Sequence, residues 1–242
     1  MADQRAQPWY ERPGPVIGLL AVVLCIGFFL LVVWRTISYV RDFQSGATVA
    51  LPQFTNAFTP RGVPLTPAQA RVVDATSPTA PFLGADDAKV TIVEFGDFAC
   101  PFSREAYPSL RTIAAEYASS VRYEWRDFPL TTIHPRAHAA AIAASCAGAQ
   151  KKFWQMHDKL FLNQHALDAQ DLANYAAEIG LDTTVFAQCV VSGGDSARLS
   201  EDLAAGVAAG VRGTPTFFIN GVRVEGAIPY AILKLFIERI GA

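Results

Sequence analysis

The 242 residues are 51% hydrophobic and 17% charged, enough apolar material for one domain with a substantial core plus an appendage. The formal net charge is -2 and the basic residues are scattered, which leaves no broad cationic surface for displacing counterions from a nucleic acid. Nucleic-acid binding is therefore excluded from the expected roles.

Residues 1–15 read as a short tail. Val16 to Trp34 carry no charge, and these 19 residues, at about 1.5 Å of helical rise each, nearly match a bilayer core of roughly 30 Å. Trp9 and Tyr10 precede the run and Trp34 and Tyr39 follow it, where amphipathic rings favour the two interfaces. A transmembrane anchor is expected over 16–40. A cleaved signal peptide is the rival, but the run is long for one, and the first small-residue site, Ser45-Gly-Ala47, lies well downstream. Arg5 and Arg12 on one side balance Arg35 and Arg41 on the other, so charge does not set the orientation.

From 41 to 81 the prolines at 52, 60, 64, 67, 78 and 81 interrupt any helical or strand period, and the segment reads as an extended linker. Leu51, Phe54, Phe58, Val63 and Leu65 are apolar for a spacer, and packing on a partner is the alternative.

Residues 82–242 should fold. Val90 to Phe95 is short and β-branched, and glycine and aspartate bound it, so it is expected as a buried strand. Cys100-Pro-Phe-Ser103 follows directly. Pro101 suits the first helical position, where its missing N–H costs nothing, and Arg104 to Ala118 has helix-forming composition. Cys100 then falls at or near the N-cap. Val121 to Phe128 is the next strand, and about 132–210 is an alanine-rich block of four or five helical segments. Breaks are expected near Gly148, 164–167, 180–182 and 192–194. Residues 216–219 and 222–225 flank Asn220-Gly221, the strongest hairpin signal in the chain, and an amphipathic helix closes at Pro229 to Ile240.

Three stretches in this order resemble DsbA-like thioredoxin-fold thiol–disulfide oxidoreductases: residues 93–102 (VEFGDFACPF), 153–158 (FWQMHD) and 213–221 (GTPTFFING). The resemblance covers 81–242 and implies an α/β thioredoxin fold with an inserted helical block. It also implies an extracytoplasmic domain, held at the cell (inner) membrane by the single span.

A thiolate attacks a disulfide, and the unpaired N–H groups at a helix N-terminus favour that anion, so Cys100 is placed as a nucleophile. By resemblance, Pro215 is a cis proline facing Cys100, Thr214 offers its backbone to an extended peptide, and Pro101 and Phe102 border the substrate. Glu94 matches the family's acidic residue on the strand below the site, where a partly buried carboxyl could relay protons and tune the cysteine, with a solvated edge residue as the alternative.

The chain departs from the family at Ser103, where a second cysteine is usual. A hydroxyl cannot close a disulfide, although it could donate a hydrogen bond to the Cys100 sulfur. The expected reaction is thus exchange through one thiol, in which the client's own second cysteine or an external thiol releases the mixed disulfide. The alternative is a non-catalytic scaffold or accessory subunit of a larger membrane complex. Expected partners are the membrane and a cysteine-containing client or low-molecular-weight thiol, and no cofactor is expected.

The remaining cysteines need separate readings. The resemblance implies a structural disulfide between Cys146 and Cys189, with two separate buried thiols as the alternative, while Cys25 reads as an apolar residue of the span. His134 and His138 have the i, i+4 spacing of metal ligands but no third partner, so no metal site is expected. His157 reads as a packed helix residue.

Overall fold

The computed structural model describes residues 24, 26–35 and 72–240. Leu24 and residues 26–35 are helical and exposed. The rest of the expected span lies outside the described residues, among which no helix is long and apolar enough to cross a membrane.

The folded unit is built on a five-stranded sheet. Its strands are β1 (Phe82–Gly84), β2 (Val90–Gly96), β3 (Val121–Asp127), β4 (Thr216–Ile219) and β5 (Val222–Glu225), in the order β1-β3-β2-β4-β5. The central pair is parallel, with Val90 beside Val121 and Gly96 beside Asp127. Helix α1 (Pro101–Glu116) makes the crossover between β2 and β3. β4 runs antiparallel to β2 with Phe95 beside Thr216, and β5 closes the hairpin. This hairpin follows the sequence expectation because Asn220 and Gly221 take φ 46 and 80, the left-handed pair that a type I′ turn requires.

Alternation along the central strands distributes two cores. Ile92, Phe217 and Ile219 face α1 and the closing helix α7 (Tyr230–Ile240), burying Leu110, Ile113, Leu233 and Ile237. Val93, Phe95 and Phe218 face the other way, against Phe128 and Val211. Both faces are covered, which is why β2 reads as an almost continuous apolar run.

Between β3 and β4 lie five helices: α2 (Ala137–Ala149), α3 (Phe153–Leu162), α4 (Ala169–Glu178), α5 (Thr183–Val191) and α6 (Ser196–Ala208). They enclose a third core of Met156, Leu160, Phe161, Leu172 and Leu181, which Phe98 and Trp125 join to the sheet region. α6 approaches the sheet closely at Gly206, where an added Cβ would meet the Phe128 ring at 2.6 Å. A buried ionic network fixes the same helix: Asp202 accepts from Arg126 at 2.6 Å and Arg198 at 2.8 Å, and Arg198 reaches Asp127 at 2.8 Å.

The boundary expected at 81 needs correction. Residues 72–81 lie on the folded unit rather than forming the end of a tether. Val73 N donates to Gly221 O, Ser77 N donates to Glu124, and Arg126 donates to Ala75 O, while Ala75 and Ala80 are buried. An extended strap on a sheet uses the same proline, alanine and threonine vocabulary as a solvated linker, so composition alone does not separate them.

Candidate active site

Cys100 caps α1 with extended backbone, φ -79 and ψ 122, and Pro101 takes the first helical turn. The residue is only 3% exposed, its thiol is free, and its Sγ donates to Thr214 O at 3.2 Å. Thr214-Pro215 is a cis peptide bond. The structure therefore brings Cys100, Thr214 and Pro215 together, although 114 positions separate the first two. Pro101 and Phe102 are exposed beside the thiol, Phe102 at 48%. The Thr214 hydroxyl is buried without a hydrogen-bond partner.

Ser103 sits one turn into α1, fully buried, and the bond its hydroxyl could offer the sulfur is not the one it makes. Its Oγ accepts from Asp97 N at 3.4 Å, so the hydroxyl serves the turn rather than the thiol.

That turn is organised by residues not singled out as site residues from the sequence. Asp97 O accepts from Cys100 N at 3.0 Å. The buried Asp97 carboxylate accepts from Ala99 N at 2.7 Å and from Leu130 N at 2.9 Å, and pairs with His134 Nδ1 at 2.7 Å. His134, considered above only as a metal ligand, is thus a partner of the cysteine turn. Among the described residues no cluster suited to a metal is present. From a separate loop, at 163–168, Gln164 Nε2 donates to Phe98 O at 2.9 Å and Cys100 O at 2.8 Å. Asp97 lies inside the quoted motif and could have been flagged. Nothing local marks Gln164.

Glu94 is buried on β2. Tyr123 OH donates to its Oε2 at 2.8 Å, and Oε1 has no partner. Burial pushes the carboxyl up to about 8, against the opposing pull of the Tyr123 hydrogen bond. Near neutral pH Glu94 is therefore mostly protonated and holds a proton inside the sheet. Burial also raises the Tyr123 phenol, and the neighbouring Glu94 charge adds to it.

His157 is a packed residue. Its ring meets Trp125 and Phe161 edge-on at 5.0 Å and Trp154 at 4.9 Å, and burial lowers its affinity for a proton despite the bond to Asp158. Cys146 and Cys189 are joined by a disulfide between α2 and α5. Cys189 lines an open cavity of about 530 Å³ that also meets Ser145, Asp195 and Arg198.

A parallel β2-α1-β3 unit, an antiparallel hairpin and a helical block between them define a thioredoxin-like fold of the DsbA type. The family described as "Thioredoxin" matches residues 76–239, and the chain belongs to it. A solved thioredoxin-like oxidoreductase from Silicibacter pomeroyi is 28% identical, with a TM-score of 0.61 over 67% of this chain and 92% of that one. The thiol-disulfide exchange protein alpha-DsbA2 from Wolbachia pipientis shares the fold at 18% identity and a TM-score of 0.62, over 67% of this chain and 88% of that one. Among curated relatives, "Na(+)/H(+) antiporter NhaA 3" of Salinispora tropica is 43% identical over 152 residues, 63% of this chain and 23% of that protein. The chain spans about a quarter of the length of the curated relatives it matches.

Proposed function

We propose that this protein is a membrane-anchored, extracytoplasmic thiol–disulfide exchange protein that works through Cys100 alone, without a resolving cysteine. The observation that carries the reading is a free thiol at the start of α1, 3.2 Å from Thr214 O beside a cis proline, with Ser103 where a second thiol would stand. The Cys100 thiolate attacks one sulfur of a client disulfide. A new S–S bond forms to Cys100, and the client's other sulfur leaves as a thiolate that takes a proton from water. The client's own thiolate, or a low-molecular-weight thiol, then attacks the bound client sulfur and returns Cys100 unchanged. The cycle reshuffles disulfides without net oxidation. Pro101 and Phe102 border the incoming chain, the Thr214 backbone receives it, and Glu94, buried on β2, the strand that leads into the cysteine turn, serves as a proton store.

The anchor is proposed from the uncharged run at 16–34. The Cys146–Cys189 bond supports an oxidising compartment, because such bonds persist there and are rare in a reducing cytosol. The antiporter activity in the relatives' names is not carried over, since the match covers about a quarter of those proteins.

The test uses a peptide carrying a glutathione mixed disulfide. Wild type should release the peptide thiol and Cys100→Ala should not. Equal rates in the two proteins would overturn the reading.

A further inference from the structure

We propose that Gln164 is a positioning residue for Cys100, fixing the sulfur where a docked disulfide can be attacked; the inference rests on the exchange reading above. The Gln164 amide comes from the loop between α3 and α4, yet its one nitrogen reaches two carbonyls of the cysteine turn, Phe98 O at 2.9 Å and Cys100 O at 2.8 Å. Both partners are pure acceptors, so the nitrogen and not the oxygen must face them.

The loop that carries Gln164 is itself held. Asn163 Nδ2 donates to Lys159 O at 2.8 Å, Ala166 N donates to Asn163 O at 2.8 Å, and Tyr175 OH donates to Ala166 O at 2.9 Å. Leu167 is buried in the helical core. The N–H groups of the turn are held separately, since Asp97 takes Ala99 N and Cys100 N and is braced by His134 and Leu130 N. Gln164 closes this clamp from the helical block. Without it the Phe98 carbonyl loses a donor, the Cys100 carbonyl keeps only Arg104 N, and the residues between 97 and 100 are held through the Asp97 contacts.

Attack on a disulfide is sensitive to direction, because the nucleophile must approach along the S–S axis of a substrate docked at Thr214. A small misplacement of the sulfur therefore costs more for a docked substrate than for a freely tumbling electrophile. Losses from remote misplacement reach roughly a hundredfold in enzymes.

The experiment compares wild type with Gln164→Ala, Gln164→Glu and Gln164→Lys in the full-length protein. Two rates at Cys100 are measured, exchange with the glutathionylated peptide and alkylation by iodoacetamide, together with the urea unfolding midpoint. Ala and Glu, which lack the donor, should slow exchange about tenfold or more while changing alkylation by less than about threefold. Lys, which restores a donor of similar reach, should recover most of the exchange rate. Exchange unchanged in Gln164→Ala, both rates falling together with the unfolding midpoint, or no recovery with Lys would each overturn the assignment. No exchange by wild type at all would instead sink the exchange reading, and the positioning role with it.

Discussion

Glu94 gives the chain a pH dependence that can be worked out in advance. Its carboxyl moves from an ordinary 4.5 to about 8 on folding, chiefly through burial. A group that binds its proton more tightly when folded stabilises fully below the unfolded value. That stability is lost as pH rises from about 4.5 towards about 8, and the loss is complete above it. At about 1.4 kcal/mol per pH unit, the whole window is worth at most about 5 kcal/mol. Glu94→Gln mimics the neutral acid, because its amide oxygen can still accept from Tyr123 OH. Urea unfolding followed by tryptophan fluorescence, between about pH 5 and pH 9, should show wild-type stability declining while the variant stays flatter. The two should be close at the acid end, with the variant more stable at the alkaline end by several kcal/mol. Parallel curves would refute the claim that a buried carboxyl titrates inside this sheet.

Other perturbations test the frame around the site. Arg198→Ala strips Asp127 of its ion pair and Asp202 of one of two, and should cost about 3 kcal/mol or more in urea unfolding because the buried Asp127 carboxylate is left without a cation. Breaking the Cys146–Cys189 bond, with Cys189→Ala read against wild type, should cost up to about 4 kcal/mol for a closed loop of 43 positions. Ser103→Cys should place a second thiol one helical turn from Cys100, at about the 5–6 Å Cα separation that a disulfide spans. Mild oxidation should then remove both thiols from a colorimetric thiol count, and the variant should gain net oxidation of a dithiol peptide that wild type lacks.

The sequence makes the frame legible where local physics decides it. Asn220-Gly221 sets the hairpin, Pro101 marks the start of α1, and three of the four breaks expected in the helical block, at 164–167, 180–182 and 192–194, fall between helices, while Gly148 lies in the last turn of α2, just before the break that follows Ala149. The thiol's neighbours were accessible only through resemblance, since no local rule joins Cys100 to Thr214 across 114 positions. Residues 72–81 do not read from the sequence as part of the fold, nor 82–84 as a strand, because a three-residue edge strand and the strap before it carry no period of their own. β1 is fixed instead by tertiary contacts, with the Arg122 guanidinium 3.6 Å from the Phe82 ring centroid and Trp154 Nε1 donating to Phe82 O. Gln164 reads from the sequence only as part of a helix break, because its bond to the Cys100 carbonyl spans 64 positions.

The most direct test of single-thiol exchange is acid-quenched, alkylated extraction of the protein from native membranes, followed by mass spectrometry of the peptide containing Cys100. A cysteine-bearing client or small thiol disulfide-bonded to Cys100, with the Ser103→Cys variant losing that adduct to an internal disulfide, is the predicted result. A Cys100 found only as free thiol, in a protein that co-purifies with a stoichiometric non-covalent partner, would contradict it.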